Sequence, residues 1–111
     1  MNTRQPKTQE NRWSVYLLSC ADGTLYCGVT TDVARRIAMH NGDIPGGAKY
    51  TRGRRPVTLA ACAEGMSRGE ALSLEAYIKK LPKKDKLLAL RHAADHEAGP
   101  AATESACERK T

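Results

Sequence analysis

Residues 13–31 alternate between apolar and other side chains with the period of two that half-buried β-strands show. The tripeptide Ala-Asp-Gly at 21–23 separates two such runs, so the pattern predicts two antiparallel strands joined by a tight turn. This tripeptide suits a three-residue hairpin loop, a type I turn followed by glycine in the left-handed conformation. The apolar face of the two strands comprises Val15, Leu17, Leu25, Cys27 and Val29.

The length of this turn decides where two tyrosines lie. A three-residue loop sets Tyr16 opposite Gly28 and Leu18 opposite Tyr26, so both tyrosines share one face and Gly28 leaves a gap between the side chains. A two-residue loop would place the tyrosines on opposite faces, because a shift of one residue inverts the side chains of a strand. The Ala-Asp-Gly sequence favours the three-residue loop.

A helix is predicted directly after the hairpin, ending near Asn41. Asp32 is a plausible N-cap, since its carboxylate can accept hydrogen bonds from the free amides of the first turn. At 100° per residue, Arg36 and His40 lie at the border of the core-facing side, whereas Arg35 points to solvent. We therefore expect Arg36 to reach the sheet. The core-facing side is marked by Val33 and Ile37.

Residues 42–56 form a long segment with four glycines, two prolines and a cluster of cations. A loop of this length in a small domain is usually functional. Cationic side chains contact phosphates, and a tyrosine can stack on a base or a sugar. The alternative is an ordinary solvated loop. The candidate nucleic-acid contacts are Lys49, Tyr50, Arg52, Arg54 and Arg55.

The second half of the chain predicts one strand and two helices. Small and apolar side chains alternate over 57–64, which indicates a third strand whose second face is partly covered by a helix. Ser67 and Glu70 form a capping box that begins the next helix. A short basic helix follows Pro82 and ends near Ala94. The alternating positions of the strand are Val57, Leu59, Ala61 and Ala63.

These elements predict a small α/β (α+β) domain, with a three-stranded antiparallel sheet flanked by helices in the order β-β-α-β-α-α. We expect a flexible N-terminus at 1–12, the folded domain at 13–94 and a disordered tail at 95–111. The chain has no apolar run long enough to span a membrane and no secretory signal at its start. A monomeric cytoplasmic protein without a membrane partner is expected.

The charge distribution indicates a polyanionic partner. The net charge is +6, but residues 1–93 carry 16 Lys and Arg against 8 Asp and Glu, whereas residues 94–111 carry 2 against 4. Nucleic acid is the default candidate for the partner of a small body this basic, although many small basic proteins have no such partner. The four cysteines have no pair with the spacing of a zinc site.

Two triplets of the hairpin, Ser14-Val15-Tyr16 and Tyr26-Cys27-Gly28, resemble those that name the GIY-YIG nuclease family. Ser-Val replaces Gly-Ile in the first triplet, whereas its tyrosine and the tyrosine and glycine of the second are retained. The resemblance runs from about Trp13 to about Arg91 and is greatest to small single-domain bacterial members. Further matches follow in order at 30–37, His40-Asn41, 48–52, Arg55-Pro56, Glu70-Ala71, Glu75 and 79–81.

The resemblance implies a metal-dependent endonuclease that hydrolyses phosphodiester bonds in nucleic acid, with DNA favoured, in DNA repair or processing. Glu75 would hold a hydrated Mg²⁺ or Mn²⁺, because Mg²⁺ keeps several waters and needs few protein ligands. Arg36 would bind phosphate oxygens through paired donors. The implied catalytic residues are Tyr16, Tyr26, Arg36, His40 and Glu75.

The base that activates the attacking water stays open among Tyr26, Tyr16 and His40. A phenol with a reference pKa near 10 is a poor base at neutral pH unless nearby cations lower it. His40 has the better intrinsic pKa, although some relatives carry tyrosine there. Some relatives also carry lysine where this chain has Val29, so any role of that lysine is absent here or filled by another group.

Two other functions account for part of the pattern. A nucleic-acid-binding module that cuts nothing explains the basic loop and the basic last helix, but not Glu75, whose charge opposes phosphate unless a cation bridges them. The alternative for Glu75 itself is an exposed pair with Lys79, four residues on. A structural or protein-interaction domain would leave the loop and both tyrosines unexplained.

Overall fold

The fold is built on one antiparallel sheet of three strands. The structure, a computed structural model, describes residues 12–98. Strands β1 (Trp13–Cys20), β2 (Leu25–Thr30) and β3 (Val57–Met66) lie in the order β2-β1-β3, with β1 in the centre. The expected three-stranded antiparallel sheet is confirmed. The expectations for residues 1–11 and 99–111 lie outside the described range.

Within the described range, four helices accompany the sheet, one more than expected. They are α1 (Val33–His40), α2 (Lys49–Arg52), α3 (Arg68–Lys79) and α4 (Lys83–Ala98). The extra helix, α2, lies inside the segment predicted as a loop. Its N-cap, Ala48, makes no side-chain capping bond. Glycine and proline surround these four residues, so the sequence carries no start signal for them. Helix α4 also continues beyond its predicted end near Ala94.

The hairpin has the three-residue loop that the sequence favours. The amide of Cys20 donates to the Thr24 carbonyl at 2.9 Å, and the amide of Gly23 donates to the Cys20 carbonyl at 2.9 Å. Gly23 has φ of +87°, a conformation that glycine adopts without strain. The resulting register sets Tyr16 opposite Gly28 and Leu18 opposite Tyr26, as predicted.

The two faces of the sheet are covered by different elements. Val15, Leu17 and Cys27 pack on one face with Ala71 and Ile78 of α3 and Leu90 of α4. Tyr16, Leu18 and Cys20 lie on the opposite face, where Val33 and Ile37 of α1 pack. Because successive side chains of a strand point to opposite faces, the tyrosine face is separated from the larger apolar core. Both buried clusters fix β1 in place.

A bulge in β3 breaks the alternation predicted for that strand. Leu17 is opposite Ala61 and Leu18 is opposite Leu59, so one extra residue of β3 separates these two pairs. An extra residue inverts the faces of everything beyond it. Val57 and Leu59 therefore pack with the tyrosine face, whereas Ala61 and Ala63 pack under the helices. The prediction that all four share one face was wrong.

The starts of α1 and α3 are those expected. The Asp32 carboxylate accepts from the amide of Arg35 at 3.1 Å at the start of α1. At the start of α3, the amide of Glu70 donates to Ser67 Oγ and the amide of Ser67 donates to the Glu70 carboxylate, which completes the capping box. Within residues 12–98 no helix is both long and apolar enough to cross a membrane.

Candidate active site

Four aromatic rings from four separate elements meet on the tyrosine face. The centroid of Tyr26 lies 6.4 Å from that of Tyr16, 5.0 Å from that of His40 and 5.5 Å from that of Tyr50. Tyr16 comes from β1, Tyr26 from β2, His40 from α1 and Tyr50 from α2. The register of the hairpin, set by the Ala-Asp-Gly turn, places Tyr16 and Tyr26 on this face, whereas α1 and α2 bring His40 and Tyr50 to it.

Gly28 provides the space in which the Tyr16 side chain lies. A Cβ atom at position 28 would stand 2.5 Å from the hydroxyl oxygen of Tyr16 and 2.7 Å from its ring carbon Cζ. Both separations are well inside van der Waals contact. The Tyr16 ring therefore crosses the backbone of β2 at Gly28, and its hydroxyl reaches α1.

The Tyr16 hydroxyl ends at a buried histidine. Tyr16 Oη lies 2.9 Å from His40 Nε2, and the other ring nitrogen of His40, Nδ1, lies 2.8 Å from Thr51 Oγ1. His40 and Thr51 are both fully buried at 0% exposure, and Tyr16 is 1% exposed. Thr51 is a site residue that the sequence did not indicate, because its position depends on α2. The result is a buried chain of polar groups.

Burial and positive charge set the protonation of this chain. Burial, together with the charges of Arg36 and Arg55, lowers the pKa of His40 to about 4. Burial raises the pKa of Tyr16 to about 12, although Arg36 acts in the opposite direction. At neutral pH His40 is therefore uncharged with a free lone pair, and Tyr16 keeps its proton.

Arg36 reaches the sheet face that carries Tyr16, and its catalytic role stays a prediction. Its side chain is half-buried and interacts with the Tyr16 hydroxyl, whereas the neighbouring Arg35 is exposed. Arg36 Nη1 also donates to the Gly46 carbonyl at 2.9 Å. That bond fixes the guanidinium between α1 and the following loop. Arg36 is thus the charged group that borders Tyr16.

Arg54 connects the hairpin loop to α2 through two hydrogen bonds. Its Nε donates to the Asp22 carboxylate at 2.9 Å, and its Nη1 donates to the Tyr50 carbonyl at 2.8 Å. The guanidinium carbon lies 4.0 Å from the centre of the Tyr50 ring. Tyr50 is 38% exposed. The Arg54 guanidinium lies over its ring, and the ring of Tyr26 is its aromatic neighbour. A base could stack on the face under Arg54 only after Arg54 moved.

The remaining loop cations divide into two kinds. Arg55 Nε donates to the His40 carbonyl at 2.7 Å, so this side chain contacts the end of α1. Lys49 and Arg52 are exposed on α2. The prediction that all of these cations contact phosphate stays a prediction, and Lys49 and Arg52 are the two that fit it without breaking a bond described above.

Glu75 lies on α3, which packs on the opposite side of the sheet. Its Oε2 is 3.1 Å from Lys79 Nζ, the pair expected four residues apart. Burial raises the pKa of the Cys27 thiol to about 12, and the charge of Glu75 adds to this rise. Although burial acts to lower it, the pKa of Lys79 is raised by the hydrogen bond and charge of Glu75, with smaller contributions from Tyr26 and Cys27. These interactions place the Glu75–Lys79 pair near Cys27 of β2, and the role of Glu75 in metal binding stays a prediction.

A metal at this border would depend on Glu75 and on substrate. Among the described residues, no three His, Cys, Asp or Glu side chains form a ready-made metal site. Mg²⁺ is commonly held by one or two carboxylates together with waters and substrate phosphates. The single carboxylate of Glu75 fits that type of site, and it does not fit a closed structural metal centre.

Comparison with known proteins gives consistent results. The family model of the GIY-YIG catalytic domain matches residues 12–88. The UPF0213 protein DP2720 of Desulfotalea psychrophila is 49% identical over 78 residues, which is 70% of this chain and 70% of that protein. UPF0213 protein VNG_2274C of Halobacterium salinarum is 53% identical over 73 residues, covering 65% of this chain and 91% of that protein. The solution NMR structure of EF2693 from E. faecalis is 40% identical, with a TM-score of 0.50 over 71% of this chain and 82% of that one.

Proposed function

The chain belongs to the GIY-YIG family, and on that premise we propose that it is a metal-dependent endonuclease that hydrolyses phosphodiester bonds in nucleic acid, preferably DNA. The observation that carries the proposal is the meeting of Tyr16, Tyr26, Arg36 and His40 on one face, beside the exposed cations of α2. Hydrolysis requires a deprotonated water and neutralisation of charge on the phosphorus centre. These side chains supply both requirements.

The Tyr16–His40 pair takes the proton of the attacking water. The water transfers a proton to Tyr16 Oη while Tyr16 passes its own proton to His40 Nε2, across the 2.9 Å bond. With the pKa of Tyr16 at about 12, a free tyrosinate at neutral pH would cost about 7 kcal/mol. With the pKa of His40 at about 4, protonating it costs about 4 kcal/mol. Transfer of the proton to His40 therefore requires less free energy than formation of a free Tyr16 tyrosinate.

Tyr26 provides the approach to that pair. Tyr16 is almost completely covered, whereas Tyr26 is half-buried and its ring contacts both Tyr16 and His40. We assign to Tyr26 the orientation of the water, and to Tyr16 and His40 its deprotonation. A phosphate bound near Arg36 would also raise the pKa of His40, because an anion favours the imidazolium.

Arg36 binds the scissile phosphate. A guanidinium offers paired donors that match two phosphate oxygens, and it remains charged at every relevant pH. Its bond to Gly46 holds it in place before substrate arrives, which reduces the ordering required in the transition state. The same charge also acts on Tyr16, so a single side chain joins the phosphate to the proton acceptor.

Glu75 is the residue that would hold the metal, which would supply charge neutralisation during phosphodiester hydrolysis. The carboxylate is paired with Lys79, and this pairing would compete with a bound cation. Glu75→Gln should therefore lower cleavage by about 100-fold or more, with the fold intact. Lys79→Gln is the matched control, because it breaks the same ion pair but keeps the carboxylate. Equal losses in the two variants would show that only the ion pair matters.

The proposal is tested by incubating the purified chain with labelled single-stranded, duplex, flap and junction substrates of DNA and RNA. Each substrate is tested with Mg²⁺, with Mn²⁺ and with EDTA. We expect cleavage with either metal and none with EDTA. Cleavage that EDTA leaves unchanged would contradict the metal requirement, and preference for RNA would contradict the assignment to DNA.

The Glu75–Lys79 pair favours a second candidate, a nucleic-acid-binding module that does not cut. In that protein the only role of the Glu75 carboxylate would be to stabilise α3 through its i,i+4 pair with Lys79, by about a few tenths of a kcal/mol. Salt-dependent binding to the whole panel with no cleavage in any metal would support this candidate over the endonuclease.

A further inference from the structure

The buried His40 has a defined hydrogen-bond partner on each ring nitrogen. Nε2 lies 2.9 Å from Tyr16 Oη, and Nδ1 lies 2.8 Å from Thr51 Oγ1. A neutral imidazole carries a single N–H, so one nitrogen donates and the other accepts. Only the tautomer with its proton on Nδ1 leaves Nε2 able to take a proton from Tyr16.

Thr51 distinguishes the two tautomers. Its hydroxyl oxygen lies 3.1 Å from the Ala48 carbonyl oxygen, and a carbonyl can only accept. The single hydroxyl proton of Thr51 therefore lies between Oγ1 and Ala48. With that proton committed, Thr51 Oγ1 acts as the acceptor toward His40. Nδ1 must then be the protonated nitrogen, and Nε2 accepts from the Tyr16 hydroxyl.

The opposite tautomer leaves these same groups poorly matched. Nε2–H would donate to the Tyr16 oxygen, which also faces the donor groups of Arg36. Thr51 would turn its proton to Nδ1, so the 3.1 Å contact with the Ala48 carbonyl would hold no proton. The buried Thr51 hydroxyl oxygen and the Ala48 carbonyl oxygen would then face each other without a hydrogen bond, an arrangement that folded proteins avoid.

We propose that Thr51 is a positioning residue that holds His40 in the Nδ1–H tautomer, so that Nε2 can accept the proton of Tyr16. The tautomer itself follows from the hydrogen bonds, and only its catalytic consequence rests on the proposed function. Thr51 is buried, but α2 also presents the exposed Lys49 and Arg52. Nucleic acid that contacts Lys49 and Arg52 would therefore bind the same helix that holds Thr51 against His40.

The tautomer is measured by ¹⁵N NMR of the histidine side chains in the full-length chain at neutral pH. The chain has three histidines, and the His40 signals are assigned from a His40→Gln variant. We expect a protonated Nδ1 and an unprotonated Nε2 in the wild type. A wild-type His40 protonated on Nε2 would overturn the proposal without any variant.

Two substitutions separate the hydroxyl of Thr51 from its shape. Thr51→Val keeps the volume and removes the hydroxyl, whereas Thr51→Ser keeps the hydroxyl. We expect Thr51→Val to shift His40 toward the Nε2–H tautomer and Thr51→Ser to retain the wild-type signals. Retention of the wild-type tautomer in a folded Thr51→Val protein would overturn the proposal.

The catalytic consequence is tested separately by measuring kcat and KM for each variant. We expect Thr51→Val to lower kcat by about 100-fold, the lower end of what positioned proton transfer contributes, with KM changed by less than about threefold. Thr51→Ser should restore most of kcat. A purely structural role would instead lower thermal stability and leave the kcat of the folded fraction unchanged. If the wild type cleaves nothing, the endonuclease proposal fails, while the NMR result still decides the tautomer.

Discussion

Replacing Gly28 by alanine should push Tyr16 away from His40. The added Cβ would stand 2.5 Å from the Tyr16 hydroxyl oxygen, 2.7 Å from Cζ and 3.0 Å from Cε1, so the ring itself must move. Tyr16 is only 1% exposed, and its neighbours leave it little room. Any displacement lengthens the 2.9 Å bond to His40 Nε2.

The expected cost follows from two effects. Overpacking a filled core costs about 1–3 kcal/mol. Leaving the buried His40 Nε2 without its hydrogen bond costs about 1–3 kcal/mol. Gly28→Ala should therefore lower the free energy of unfolding by about 2–6 kcal/mol, which is a large fraction of the stability of a small domain.

Gly53→Ala is the matched control, because a Cβ at position 53 meets no atom within 4 Å. Urea unfolding is followed through the fluorescence of the single tryptophan, Trp13. The unfolding midpoints of the two variants report their stabilities when the slope of free energy against urea concentration is the same. Gly53→Ala should unfold at or slightly above the wild-type midpoint. A Gly28→Ala protein as stable as Gly53→Ala, with the Tyr16–His40 bond intact by NMR, would refute the packing argument.

Three further outcomes are expected. Because the pKa of His40 falls from 6.5 to about 4 on folding, the unfolded chain binds more protons between these values. Stability should therefore decrease by about 3 kcal/mol as the pH falls through this window, and a His40→Gln variant should show a flatter profile by urea unfolding. Replacing Lys49 and Arg52 together by alanine should weaken binding to all nucleic-acid sequences equally. It should also reduce the salt slope, the slope of the logarithm of the binding constant against the logarithm of salt concentration, by about 2. This change should leave the unfolding midpoint in place, and an unchanged salt slope would contradict the assignment. Arg54→Ala should lower the unfolding midpoint, because it removes the bonds that join the hairpin loop to α2, and an unaltered midpoint would contradict that role.

The part of the fold that the sequence predicted is controlled by local chemistry. Ala-Asp-Gly specifies the turn, the turn specifies the register, and the register places Tyr16 beside Tyr26. Asp32 and Ser67 likewise mark helix starts through short-range bonds to nearby amides. Each of these features is decided within a few residues of the chain, so the pattern alone was sufficient.

The features that were missed depend on contacts between distant segments. The bulge between Leu59 and Ala61 becomes visible only when β3 pairs with β1. Helix α2 has no capping signal of its own, so the positions of Thr51 and Tyr50 were not predictable. The sequence also treats every loop arginine as an equal candidate, whereas Arg54 is bonded to a carboxylate 32 residues earlier.

The most direct test of the catalytic site compares Arg36→Ala with Arg35→Ala in single-turnover cleavage of a labelled DNA substrate with Mg²⁺. The two variants have the same net charge and neighbouring positions, but only Arg36 borders Tyr16. We expect Arg36→Ala to slow cleavage by about 100-fold or more and Arg35→Ala to stay within about twofold of the wild type. Equal rates for the two variants, whether both fast or both slow, would contradict the assignment of catalysis to this face of the sheet.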